Sequence, residues 1–350
     1  MSSCIIHPAF DGHEQLAFHR DDDSGLRAVV AVHNTRLGPS LGGCRVYPYD
    51  SLSSALGDVL RLAKGMTYKA AMAGLAQGGG KSVIIADPHT QKTPQMMRAM
   101  GRFVDTLGGR YIIADDSGTN AQDMQQVATQ TAHIRGVSSA SSQADPDYRD
   151  TSAATAWGVF LGMREAVRQR LGRDDLDGSR VAIQGLGKVG AVLAAHLHEA
   201  GARLWVCDAF APALEYCAER FGAVAVDPEE IFSQDVDVFS PCALGGVLNP
   251  QRISALKASV VAGAANNQLA TPDCAELLQQ KNIAYAPDYV INAGGIINIS
   301  YEGPAYRWAT VDQHLRRIPE SLTQIFQRSA SQGHTTAAVA DRMAQAIFRA

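Results

Sequence analysis

Two lysines twelve residues apart, Lys69 and Lys81, are the first side chains in this 350-residue chain with the means to do chemistry. Lys81 follows three glycines, Gly78–Gly80, and precedes Ser82. A phosphate-binding loop ends this way, but Gly74 leaves five residues before the last glycine where that motif has four, and no strand is expected to lead into it. Glycines also let backbone approach a small ligand, and a lysine at their edge can point into a cleft. A second ammonium nearby and desolvation both push an amine down from about 10.4 toward neutrality, where it can serve as a general base. By composition alone, two surface lysines remain the more common arrangement. A third element counts against that: Asp115-Asp116 ends an expected strand, Tyr111–Ala114, the end at which α/β proteins build sites. Such an acidic pair on its own is more often a turn or a helix cap.

A second cluster reads Gly185-Leu186-Gly187-Lys188-Val189-Gly190, directly after the apolar run Arg180–Gln184. Gly-x-Gly-x-x-Gly is a weak signal alone. Here a helix follows (Ala191–Ala200), then a strand (Arg203–Cys207) that ends in Asp208 about twenty residues on, as a dinucleotide site requires. Gly185 permits the tight turn, Gly187 the approach of a pyrophosphate, and Gly190 the close packing of helix on strand. Exposed amides at the helix start stabilise the pyrophosphate. Asp208 can accept from ribose hydroxyls and repels an extra phosphate, and Ala209 follows it rather than Arg, so NAD is expected over NADP.

The elements around these clusters divide into two α/β halves. In the first, Leu26–His33 reads as a buried strand, Leu37–Gly43 as a Gly/Pro loop, Leu52–Gly65 and Thr93–Leu107 as amphipathic helices, and Val83–Ala86 as a short strand after a glycine loop. A Ser-rich stretch without periodicity, Val137–Asp150, marks a junction. Beyond it, short apolar runs at Arg180–Gln184, Arg203–Cys207, Val236–Ser240, Ser259–Ala262 and Ala284–Ala286 alternate with helical patterns, which implies a doubly wound parallel sheet. The expected fold is therefore two-domain α/β: a substrate-binding and oligomerisation domain over 1–140, a Rossmann-type NAD-binding domain over 150–310, and C-terminal helices over 311–350 packing back on the first, with a cleft between the domains.

Composition narrows the partners. With a net charge of −4 and no concentrated Lys/Arg stretch, the chain is not suited to nucleic acid or a membrane surface. The six cysteines show no Cys-x-x-Cys pair, so reduced structural thiols and no metal are expected. With neither a signal sequence nor an apolar run of spanning length, a soluble cytoplasmic protein is expected.

At these residues the chain resembles the glutamate/leucine/phenylalanine/valine dehydrogenase family, above all its leucine dehydrogenase branch. The resemblance covers nearly the whole chain. It runs through Leu37–Arg45, Leu62–Lys69, Gly78–Lys81 with Asp87-Pro88, Asp116–Thr119, Pro241–Gly245, Ala264–Leu269 and Ala286–Gly295. It implies an NAD-dependent amino-acid dehydrogenase that works as a homo-oligomer on an amino acid, releasing 2-oxo acid and ammonia. Lys69 would bind the substrate carboxylate with Gly42 and Gly43 close by, Lys81 would be the base, and Asp116 would shuttle protons to and from the amine. Asn266 would contact the nicotinamide region and Asn292 would line the cleft. Thr155, Cys242 and Ala243 would border the cofactor, Cys242 with no nucleophilic role. Two departures stand out: Asp115-Asp116-Ser117 where the family has Glu-Asp-Val, and Asp150–Thr155 where its junction carries two prolines.

The family's side-chain pocket falls on Leu41, Ala114, Ile296 and Ile299, with Met66 nearby. All are apolar, so a second carboxylate would go unpaired at a cost of several kcal/mol, which argues against glutamate. Branched-chain substrates are expected first. Phenylalanine or tryptophan comes next, with phenylalanine enzymes tending to glycine where Ala114 stands. A relative that binds NAD without turnover is the alternative from another class. Isoleucine at two positions where the leucine branch usually has valine narrows the pocket toward valine, an effect of about 1–3 kcal/mol per methylene.

Overall fold

The computed structural model describes residues 7–137 and 151–350; Cys4 and, Val137 apart, the expected junction lie outside the described residues. The chain divides into two units. The first draws on 7–137 together with Glu302–Ala305 and Ala344–Ala350, the second on 151–301 and Tyr306–Met343.

The first unit is built on strands β1 (Gln15–Asp21), β2 (Leu26–Asn34), β3 (Ser40–Tyr47), β4 (Gly78–Ile85) and β5 (Tyr111–Asp115), with helices α1 (Leu52–Met72), α2 (Pro94–Asp105) and α3 (Ala121–Ala128). Its sheet runs β1-β2-β4-β3-β5, antiparallel across β1-β2-β4 and parallel across β4-β3-β5. Strand β2 is a β-branched apolar run buried almost throughout, because α1 covers one face of the sheet and α2 with α3 the other. Ser51 and Thr93 cap α1 and α2 by accepting from Ser54 N and Met96 N, and Asn120 with Asp123 closes a reciprocal box on α3.

Two segments expected as loops are strands. Leu37–Gly43 contributes Ser40–Gly43 to β3, and Gly78–Gly80 opens β4. Glycine weakens strand propensity, which hid them. Crowding explains why glycine is there: an added Cβ on Gly42 would lie 1.8 Å from Gly80 O, on Gly78 1.9 Å from Asn34 O, and on Gly79 2.0 Å from Thr67 N. Helix α1 also runs further than expected, to Met72.

The second unit opens with α4 (Thr151–Leu171). It continues through β6 (Arg180–Gln184), α5 (Lys188–Glu199), β7 (Arg203–Cys207), α6 (Ala211–Phe221), β8 (Val224–Ala225), β9 (Val238–Pro241), β10 (Val260–Val261) and β11 (Ala284–Tyr285). All six strands are parallel in the order β11-β10-β9-β6-β7-β8. This is the doubly wound order with its switch point between β6 and β9, outside whose C-terminal ends ligands bind. The last helix, Thr336–Arg349, is shared: in the first unit its Phe348 packs against the rings of His33 and Tyr68, and Gln345 Nε2 donates to the Tyr68 hydroxyl. Among the described residues no helix is long and apolar enough to cross a membrane.

Candidate active site

Lys81 sits on β4, its side chain passing over Gly43 of the neighbouring β3, and the residue is only 5% exposed. Its Nζ lies 2.8 Å from Asp116 Oδ2. Gly43 makes this meeting possible. On that glycine a Cβ would stand 2.7 Å from Asp116 Cβ, 2.7 Å from Asp115 O and 3.2 Å from Lys81 Nζ, so a side chain there would fill the space between the two. Asp116 is held from behind. Its amide donates to Thr119 Oγ1 at 2.8 Å, and the Thr119 hydroxyl donates to Asp116 O and Cys44 O. Burial pushes the Asp116 carboxyl up, but the Lys81 ammonium and the Arg45 guanidinium more than offset this and hold it below the usual 3.8.

Arg45, together with Asp58 and Tyr49, was not singled out from sequence. Arg45 Nε lies 3.1 Å from Asp116 Oδ2, and its Nη1 donates to Asp58 Oδ2 at 2.8 Å. Arg45 ends the Leu37–Arg45 motif, but its partner Asp58 comes from α1, and a salt bridge across elements leaves no local pattern. Cys44 and Tyr111 lie under the pair, with the Tyr111 hydroxyl donating to Gly42 O at 2.7 Å and to Ser82 Oγ at 3.0 Å. Burial pushes the Cys44 thiol up to about 12, which removes it as a nucleophile.

Of the remaining first-unit residues, Leu41 and Ala114 are buried on β3 and β5, where Leu41 pairs with Ile112 and Gly43 with Ala114. Gly42 packs on Gly80 and Lys81 Cα. Met66 and Lys69 lie on α1 either side of Thr67, whose backbone presses on Gly79; both are half-buried. One sheet edge and one helix thus gather Lys81, Asp116, Gly42, Gly43, Leu41 and Ala114, with Lys69 and Met66 on the helix laid over the start of β4.

In the second unit β6 runs into the glycine turn as the sequence required. Gly185 has φ +98°, and a Cβ there would strike Ala243; one on Gly190 would lie 2.0 Å from Gly185 O and 3.4 Å from Cys242 Cβ. Gly187, the N-cap of α5, is exposed with nothing within 4 Å of its Cβ position, and Lys188 beside it is exposed too. Asp208 Oδ2 accepts from Leu186 N at 2.6 Å and Oδ1 from Phe210 N at 2.7 Å, which fixes the carboxylate at the end of β7 with lone pairs to spare. Open space over the helix amides plus a fixed acid beyond the next strand fit NAD. Asn292 Nδ2 donates to Asn266 Oδ1 at 2.8 Å and to Ala264 O, joining the two asparagines. Thr155 donates to Thr151 O and lies against Gly295. Ile296 is buried and Ile299 half-buried on helix Gly294–Ser300. Desolvation pushes the Cys242 thiol up, which disfavours its thiolate. Among the described residues no group of three His, Cys, Asp or Glu could hold a metal.

Residues 13–133 match the model of the Glu/Leu/Phe/Val dehydrogenase dimerisation domain, and residues 148–209 and 212–348 match that of Glutamate/Leucine/Phenylalanine/Valine dehydrogenase. A leucine dehydrogenase of Geobacillus stearothermophilus is 46% identical over 95% of this chain and 90% of its own length. A phenylalanine dehydrogenase of Bacillus thermotolerans is 44% identical over all of this chain and 92% of its own. The crystal structure of L-tryptophan dehydrogenase from Nostoc punctiforme superposes with a TM-score of 0.83 at 42% identity, covering 97% of this chain and 96% of that one.

Proposed function

This chain belongs to the glutamate/leucine/phenylalanine/valine dehydrogenase family and is an amino-acid dehydrogenase; from that premise we propose that it oxidatively deaminates branched-chain L-amino acids, with NAD as cofactor. The observation that carries the reading is the Lys81–Asp116 pair, 2.8 Å apart in a gap that only glycine at position 43 leaves open.

NAD held at the Gly185–Gly190 turn supplies the hydride acceptor. The rest of the reaction falls to side chains. Lys69 fixes the substrate carboxylate and so orients the α-carbon. Loss of hydride and a proton leaves an imine, to which water must add. Lys81 takes the proton from that water. Asp116 takes the proton that the substrate ammonium loses before hydride leaves, and returns it to the amine of the carbinolamine. It then accepts the hydroxyl proton as the C–N bond breaks, so that ammonia leaves, the 2-oxo acid remains, and the protons on Lys81 and Asp116 pass to solvent. Burial of the pair keeps bulk water from competing. Leu41, Ala114 and Met66 on the first unit offer the substrate side chain only apolar contact, which suits leucine, isoleucine or valine and rejects glutamate. The resemblance to a tryptophan dehydrogenase favours an aromatic substrate as the second reading.

A panel of L-amino acids with NAD, followed by NADH absorbance and repeated in reverse with 2-oxo acids and ammonia, tests this. Branched-chain substrates should exceed phenylalanine and tryptophan at least about tenfold in kcat/KM, about 1.4 kcal/mol. Aromatic preference would replace the branched-chain reading, and silence across the panel would defeat turnover. Self-association is proposed for the first unit, whose matching model is named for dimerisation and whose Phe18, Tyr47 and Leu52 are exposed; light scattering that finds only monomer would refute it.

A further inference from the structure

Arg45 engages the same oxygen of Asp116 as Lys81 does, at 3.1 Å against 2.8 Å. Its other end is anchored. Asp58 Oδ2 accepts from Arg45 Nη1 at 2.8 Å and from the Tyr49 hydroxyl at 2.6 Å, while Asp58 Oδ1 takes Arg61 Nη2 at 2.6 Å. The proton-handling pair therefore ends an alternating row of charge, Lys81, Asp116, Arg45, Asp58, Arg61. The last three have no part in the reaction proposed above. A planar guanidinium suits the middle of such a row, since its fork engages two carboxylates at once and stays charged at every working pH.

The row addresses a chemical difficulty. An amine paired with one carboxylate is favoured in its charged form, which opposes service as a base. A second cation on the same oxygen divides the carboxylate's attraction. We infer that Arg45 is a positioning residue that loosens the proton of the Lys81–Asp116 pair by sharing Asp116 Oδ2, and that the Asp58 carboxylate beyond it opposes this through its charge. An asparagine at position 58, which keeps an acceptor for the guanidinium, therefore leaves Arg45 in place. This rests on the proposed proton-carrying role of the pair. Around it stand Cys44 and Arg45 from β3, Lys81 from β4, Tyr111 and Asp115 from β5, and Asp58 and Arg61 from α1; Asp123 on α3 is engaged by Lys92. Removing a cation from this set makes the pair's proton harder to lose, whichever member carries it, and removing an anion makes it easier.

The test is log kcat/KM for oxidative deamination against pH in wild type, Arg45→Gln and Asp58→Asn, with NADH binding and thermal unfolding measured alongside. For Arg45→Gln the ascending limb should move up by about one pH unit, and for Asp58→Asn down by about half a unit, while NADH affinity stays within about twofold. Limbs that stay put, or that move in the same direction, mean a merely structural role and overturn the inference. If Arg45→Gln does not fold, Asp58→Asn decides: a downward shift supports the inference, and an unmoved or rising limb overturns it. Wild-type protein that turns over no amino acid overturns the reaction on which the inference rests, and the inference with it.

Discussion

A side chain on Gly43 of the first unit would strike Asp115 O and Asp116 Cβ, each at 2.7 Å, whereas one on Gly187 of the second unit would meet nothing within 4 Å. The first glycine clears room for other parts of the protein and the second leaves room for something else. This separates two ways of building a site. In the first unit the proposed reactive groups, Lys81 and Asp116, and the Arg45 beside them are side chains brought from different elements to one place, and the glycines let the strands and α1 come close enough. In the second unit the groups proposed to bind the cofactor are backbone amides at the start of α5, and one carboxylate, Asp208, is pinned by the Leu186 and Phe210 amides. A site made of charged side chains fails when its geometry shifts. A site made of amides fails when the backbone is blocked.

Substitutions at three glycines sharpen the contrast. Gly43→Ala should have the largest effect: turnover falls at least about a hundredfold, because misplacement of reacting groups by an ångström costs that much. Unfolding stability should drop by about 1–3 kcal/mol from overpacking. NADH binding, followed by fluorescence titration, should survive, and its loss would break the distinction between the units. Gly190→Ala should reverse the pattern. Its Cβ would meet Gly185 O at 2.0 Å, so the turn must open and NADH affinity should fall at least about tenfold, about 1.4 kcal/mol. The smallest effect belongs to Gly187→Ala. With no protein atom to strike, it should leave the unfolding temperature of the protein alone unchanged while weakening NADH binding by a few fold, and an equal loss of stability would contradict the open cradle.

The same contrast explains what could be read in advance. The cofactor half is contiguous: strand, turn, helix, strand and acid follow one another from Arg180 to Asp208, and the structure places β6, α5 and β7 there. The first half is dispersed. Lys81 and Asp116 stand out by type and by family resemblance, but the glycine-rich starts of β3 and β4 read as loops. Gly42, Gly43 and Gly78–Gly80 break the β-branched alternation of a strand, because a Cβ on each would come closer than 3.0 Å to a neighbouring atom. Strand β1, which pairs along its whole length with β2, carries mixed charge and little alternation and was not recognised. Arg45 lay in view inside a motif, yet its meaning depends on Asp58, a residue that only the packing of α1 brings near. The two-residue strand β8 gives no sequence signal of its own and pairs along β7.

Chemical rescue offers the most direct measurement of whether Lys81 carries the proton. Lys81→Ala, shown to fold and to bind NADH, would be assayed for leucine-dependent NADH formation with and without small primary amines of graded basicity. Without amine the rate should fall by about 10²–10⁴-fold, and added amine should restore part of it in proportion to its basicity. A variant that deaminates leucine at the wild-type rate, or one whose lost activity no amine restores, would contradict the assignment of proton transfer to this lysine.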